Sequence, residues 1–145
     1  MKILDGLKIS FEKGGTVYAK FHKKNSSAIE YLKKILPFDT EIFHTRWCGR
    51  EIFMPIKTGN NDIGSDLTRN VSKFDLVYWM KEKGDIHDET ISLFYGAESL
   101  QFYGGPLYVE VIGRGSVDQE ELLDEIGERV WLMGKERVKI EKITD

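Results

Sequence analysis

Apolar residues recur at every second position in short stretches along most of this chain, and that period constrains its fold more than any other feature. Leu7, Ile9 and Phe11 alternate with Lys8, Ser10 and Glu12. Val17, Ala19 and Phe21 alternate with Thr16, Tyr18 and Lys20. Such period-2 patterns describe strands with one face buried. Lys13-Gly14-Gly15 between them supplies a turn, so the chain opens with a hairpin. Phe74 to Met80 is rich in aromatic and β-branched residues, and Thr90 to Tyr95 alternates again before Gly96. Leu107 to Ile112 follows the Gly104-Gly105-Pro106 break, and Val138, Ile140 and Ile143 mark a final strand after Gly134.

Only two stretches carry helical spacing. Ser27 and Glu30 make a capping-box pair ahead of the apolar stripe Ile29, Leu32 and Leu36, and Pro37 stops that helix. Ser116 and Gln119 repeat the pattern ahead of Leu122, Leu123 and Ile126, with Gly127 as the expected stop. Helices are therefore expected over Ser27 to Leu36 and Val117 to Ile126. Seven or eight strands with two helices, and no regular β-α alternation, exclude a parallel sheet. The expected fold is mainly β: a closed antiparallel barrel with two capping α-helices, residues 1–145 forming a single domain.

The densest chemistry lies in Glu41 to Ile56, EIFHTRWCGREIFMPI. It reads as strands Ile42 to Trp47 and Glu51 to Ile56 joined by a tight Cys48-Gly49 turn. Arg46, Trp47, Arg50 and Glu51 crowd the bend, more charge than a core hairpin needs. Two arginines beside one glutamate leave about one positive charge unpaired, which suits an anionic ligand, because the guanidinium fork recognises carboxylates in a bidentate way. Tyr78 and Tyr95 are the aromatic candidates nearby. The competing structural account makes Arg46 an ion-pair partner of Glu51 and puts Phe53 and Met54 in the core.

Composition narrows the function classes. The net charge of −3 excludes a general nucleic-acid surface. No apolar run approaches the roughly 18 residues of a membrane span. The opening MKILDGLKISFEKGG lacks a signal peptide's apolar region, and one cysteine makes no internal disulfide, so a cytoplasmic protein is expected.

In order along the chain, the helix running into Leu36-Pro37-Phe38, then His44-Thr45-Arg46-Trp47-Cys48-Gly49, Leu76-Val77-Tyr78-Trp79, Phe94-Tyr95-Gly96 and the late strand into Ile112-Gly113 resemble the small cyclophilin-like proteins of bacteria and archaea, a family of unknown function. The resemblance implies an eight-stranded barrel capped by two helices, as in peptidyl-prolyl isomerases. Phe43-His44, Arg46 and Phe53-Met54 echo the isomerase pattern, with wider spacing than the isomerases use.

Three further groups carry chemistry less well. Cys48 and His44 could pair as nucleophile and base, but no third orienting residue accompanies them. Asp85, His87, Asp88 and Glu89 read as a solvated loop before they read as a metal site. The polar stretch Lys57 to Lys73 is expected to be the least ordered part of the chain. The functional expectation is a pocket near the bend, lined by Arg46, Trp47, Glu51, Tyr78 and Tyr95, for a small anionic or planar molecule or a peptide. No cofactor, metal, nucleic acid or membrane partner is expected, and a homo-oligomer is compatible with the sequence. The alternatives are a peptidyl-prolyl isomerase and a non-catalytic protein-interaction module.

Overall fold

The structure is a computed structural model that describes residues 3–80, 89–102 and 105–144. In chain order the elements are β1 (Ile3–Phe11), β2 (Thr16–Phe21), α1 (Ser27–Ile35), β3 (Phe38–His44), β4 (Glu51–Ile56), β5 (Asn70–Val71), β6 (Asp75–Trp79) and β7 (Glu89–Phe94). Then come β8 (Glu98–Ser99), β9 (Gln101–Phe102), β10 (Gly105–Pro106), β11 (Glu110–Gly115), a 3-10 turn at Val117–Gln119, α2 (Glu120–Met133) and β12 (Glu136–Thr144). Eight strands close an antiparallel barrel in the order β1-β12-β3-β4-β7-β6-β11-β2. The mainly β barrel with two helices expected from the alternation is what forms.

The alternating residues point where the period requires. Leu7, Ile9, Val17, Ala19, Ile42, Ile52, Met54, Leu76, Ile91, Leu93 and Ile140 fill the interior at 0–1% exposure. The helices close opposite ends. α1 lies between the end of β2 and the start of β3 and contributes Ala28, Ile29 and Leu32 to the core. At the other end α2 contributes Leu123, Ile126 and Val130. A second apolar cluster of Val71, Val77, Phe94, Leu100 and Val109 covers the outer face of β6 and the end of β7, with Cys48, Trp79, Leu107 and Val111 packed on it.

Several boundaries differ from the sequence reading. The cap of α1 is Ser26, whose hydroxyl accepts from the Ile29 amide at 3.3 Å, one residue before the expected Ser27. Gln119 makes no capping box. Its side chain instead accepts from the Tyr18 amide and donates to the Thr16 carbonyl, fastening the 3-10 turn to β2. α2 runs through Gly127 to Met133, because Gly127 serves a packing contact described below rather than a stop. β11 begins at Glu110 rather than Leu107, since residues 107–109 turn outward: the Leu107 amide donates to Leu100 and Val109 bridges Thr68.

The stretch Lys57 to Lys73 is pinned rather than structureless. The buried Glu89 carboxylate accepts from the Thr58 amide at 2.6 Å, and Glu110 accepts from the Ser65 amide at 3.1 Å. Asn60 donates to the Tyr78 hydroxyl at 3.0 Å, and β5 pairs with β8. Glu110 is fully buried and also takes the Lys24 ammonium at 2.9 Å. Of the loop Lys81 to Glu89, residues 81–88 lie outside the described residues, so the Asp85, His87 and Asp88 reading does too.

Candidate functional site

The bend between β3 and β4 is wider than a tight Cys48-Gly49 turn. β3 ends at His44, and Thr45 through Arg50 form a six-residue connection. It winds around Thr45, which is 1% exposed. The Thr45 amide donates to the Glu51 carbonyl at 3.1 Å, and its hydroxyl donates to the Cys48 carbonyl. One satisfied hydroxyl at the centre replaces the ladder bonds that a tight turn would have kept.

That winding aims His44 and Arg50 into a cleft of about 600 Å³ between the bend and α2, lined also by Gly49, Lys73, Tyr95, Asp124, Glu128 and Trp131. Tyr95 follows β7 directly, and its amide donates to the Arg50 carbonyl at 3.0 Å, which extends the β4–β7 ladder to the cleft floor. The Tyr95 ring lies on α2 at Gly127, where an added Cβ would come within 2.4 Å of the ring. One turn further on, Trp131 meets the His44 ring edge-on at 4.9 Å between centroids.

His44 is 8% exposed and bonded at both ring nitrogens: Nδ1 lies 2.7 Å from the Thr45 carbonyl and Nε2 lies 2.5 Å from the Tyr95 hydroxyl. A carbonyl only accepts, so Nδ1 carries the proton. Burial, with Arg46 adding to it, holds the imidazole below its ordinary pKa, and the neutral ring therefore accepts the Tyr95 proton at Nε2. Tyr95 in turn is pushed up by burial. Lys73 reaches across to α2, 2.9 Å from Glu120 and 3.0 Å from Asp124, and those carboxylates raise its pKa. Arg50 and Glu128 are exposed, and neither side chain has an ion-pair partner among the described residues.

Residues 12–142 match the family model described as a protein of unknown function, DUF3830. The chain belongs to the DUF3830 family. A search of proteins of curated function finds no match. Among solved structures the DUF3830 barrel is similar to one described as McbB in complex with tryptophan. The two superpose at a TM-score of 0.71 with 17% identity, over 96% of this chain and 46% of that one. At that identity the likeness is one of fold, and the chain spans about half of its neighbour's length.

Within this DUF3830 chain the five residues expected at the bend go to different places. Tyr95 lines the cleft. Arg46 does not pair with Glu51. Its guanidinium sits 3.9 Å from the centroid of the Trp131 ring and donates to the Trp131 carbonyl at 2.8 Å, so it braces the cleft wall from α2's side. Trp47 turns away and packs edge-on against Phe102 at 5.3 Å and against Phe53 at 5.8 Å. Glu51 is 6% exposed on the outer side of the barrel wall. Burial there raises its pKa to about 7, the Ser92 hydroxyl acting against the rise and the Glu98 carboxylate adding to it. Tyr78 is fully buried near the opposite barrel end, on Asn60.

The isomerase-like residues do not assemble into one slot either. Met54 is inside the barrel, Phe53 stacks on Phe43 at 5.5 Å, and His44 faces the cleft. Cys48 is half-buried against the outer cluster, its thiol pushed up by burial, and His44 is committed to Tyr95. Among the described residues no three His, Cys, Asp or Glu side chains gather as a metal site, and no helix is long and apolar enough to cross a membrane. Nothing in the sequence marks Lys73, Asp124, Glu128 or Trp131 as cleft residues. Asp124 and Glu128 read as the polar side of α2, Trp131 as one of its apolar residues and Lys73 as the end of a polar stretch, and only the closed fold brings them to the bend.

Proposed function

We propose that this chain is a cytoplasmic single-domain barrel that binds a small planar, anion-bearing molecule in the cleft between the bend and α2. The observation that supports this best is Arg50. Its guanidinium lines a concave site beside Tyr95 and Trp131 with no carboxylate partner among the described residues. The cleft sets the rings of His44, Tyr95 and Trp131 beside the charged side chains of Arg50, Lys73, Asp124 and Glu128, and convergent polar groups beside rings are how a concave site fixes a small molecule's orientation. An arginine that is free to fork onto a carboxylate, next to rings that can carry a flat body, favours an anionic planar ligand. The neighbouring barrel's tryptophan is such a molecule, which agrees with this reading. A cyclophilin-like ancestry fits the same barrel and remains part of the proposal, without an isomerase activity.

A second reading is a protein-interaction module. It draws on Trp131, Leu132 and Met133, which lie 43%, 69% and 68% exposed at the end of α2. Exposed apolar runs of this kind mark contact surfaces.

The deciding experiment is a thermal-shift screen of carboxylates, phosphates and flat heterocycles on wild type and Arg50→Ala. A ligand at a hundredfold excess over Kd stabilises the fold by about 2.7 kcal/mol. A shift with carboxylate-bearing heterocycles that Arg50→Ala abolishes supports the cleft. No shift with any of these compounds leaves the interaction reading in its place.

A further inference from the structure

Two opposite charges flank one hydroxyl in the cleft without touching each other. Arg50 comes from the bend and Glu128 from α2, and both line the site around Tyr95. Arg50 acts to lower the Tyr95 pKa and Glu128 acts to raise it, so both fields reach that oxygen. No ion pair joins them at 4 Å or less, and neither has another ionic partner among the described residues. Lys73 lies between Asp124 and Glu120, and Asp124 also acts to raise the Tyr95 pKa, so of the acidic groups lining the cleft only Glu128 lacks an ionic partner among the described residues. One positive and one negative group are left facing the same space from opposite walls.

The hydroxyl between them has a fixed polarity. Thr45 holds the His44 proton on Nδ1, and the bare Nε2 takes the Tyr95 proton at 2.5 Å. A phenol has one proton to give, so its oxygen offers only lone pairs to the cleft. Whatever meets that oxygen must donate. A carboxylate alone cannot do so, while an ammonium beside Glu128 can.

Resting on the ligand-binding reading above, we infer that the cleft selects a zwitterion: a planar molecule with an ammonium held by Glu128 and the Tyr95 oxygen and an anionic group held by Arg50. Tyr95 and Glu128 are then the residues that set specificity. An anion without the amine would satisfy Arg50 and leave Glu128 and Tyr95 unmatched. An amine without the anion would leave Arg50 unmatched.

The test holds the flat body constant and varies the charges, using tryptophan, 3-indolepropionate and tryptamine, with their phenyl counterparts as a second series, in calorimetric titrations. The zwitterion is expected to bind at least tenfold tighter than either singly charged relative. Glu128→Gln should erase its advantage over the anion, and Tyr95→Phe should reduce that advantage several-fold. Equal affinity for zwitterion and anion, or an advantage that survives Glu128→Gln, overturns the zwitterion inference and leaves the anion site standing. Binding by none of the six compounds overturns both.

Discussion

Gly127 of α2 lies so close to the Tyr95 ring that a Cβ at that position would sit 2.4 Å from its Cε1. The helix and the end of β7 therefore share one contact that no side chain larger than hydrogen allows. Alanine would gain up to about 1 kcal/mol of helix propensity in exchange for pushing that ring. The ring cannot yield freely, because its hydroxyl is held by His44 at 2.5 Å. Gly127→Ala should thus lower stability by about 1–3 kcal/mol, an overpacking cost. A urea midpoint that is unchanged or higher would show that the ring moves at little cost.

The two arginines of the bend should separate cleanly. Arg50→Ala is expected to weaken binding of an anionic cleft ligand by roughly ten- to a hundredfold, the worth of one charge-assisted contact. Arg46→Ala should change binding less than threefold, since Arg46 spends its charge on the Trp131 ring and carbonyl. Its cost is in stability, about 0.5–1 kcal/mol for the lost cation–π contact. Titrations of both variants with one ligand decide between these roles.

Glu51 makes stability depend on pH in an unusual direction. Its pKa rises from 4.5 to about 7 on folding, mainly by burial, with the Ser92 hydroxyl opposing the rise and Glu98 adding to it. The folded chain holds that proton more tightly than the unfolded one. Its contribution is therefore present below pH 4.5 and is lost as pH rises through about 7. Glu51→Gln should remove the loss and stabilise the protein by roughly 3 kcal/mol at alkaline pH, with little gain at pH 4. Equal stabilisation at both ends of the range would rule out the buried carboxyl as its source.

Arg129 and Glu136 form a bidentate pair, 2.9 and 3.0 Å, and Arg129 also donates to the Gly14 carbonyl while Glu136 accepts from the Lys13 amide. This cluster ties the end of α2 to β12 and the first turn. Glu136 is 3% exposed, so Arg129→Ala leaves a buried charge with only an amide for company. A loss of 3–5 kcal/mol is expected, measured by thermal or urea unfolding. Arg129→Met paired with Glu136→Leu should recover much of it.

Hydrogen exchange offers a check on the stretch 57–73. The Thr58 and Ser65 amides end on buried carboxylates, so they should be protected at least as well as the Asn70 amide, which bonds the exposed Thr68 hydroxyl. Fast exchange at both positions would restore the reading of a loose loop.

What could be read from the sequence was set by local physics. The interior faces of β1, β2 and β7 follow from alternation, β6 from its aromatic and β-branched content, and the two helices from their apolar stripes, because each of those signals is complete within about ten residues. Leu107 failed as a strand start because the second apolar cluster draws it outward, and a residue buried by an overlying segment looks no different from one buried in a barrel. Gly127 failed as a stop because its reason is the Tyr95 ring, far away in sequence. At the bend, Arg46, Trp47, Arg50 and Glu51 stand together in sequence, yet of these four Arg50 alone lines the cleft. The loop that carries them winds on the Thr45 hydroxyl, which bonds the Cys48 carbonyl, and no spacing rule encodes that contact.

The wall made by β7 and β6 has packing on both of its sides, the barrel interior on one and the Val71–Phe94–Val109 cluster on the other. The opposite wall of β1, β2 and β12 keeps a wet face with Tyr18, Lys20, Arg137 and Lys139. A strand with no wet side has no neutral positions at which to absorb mutation. Natural variation in this barrel should therefore be lopsided: frequent along the outside of β1, β2 and β12, and confined to volume-matched exchanges across the wall that leads into the cleft.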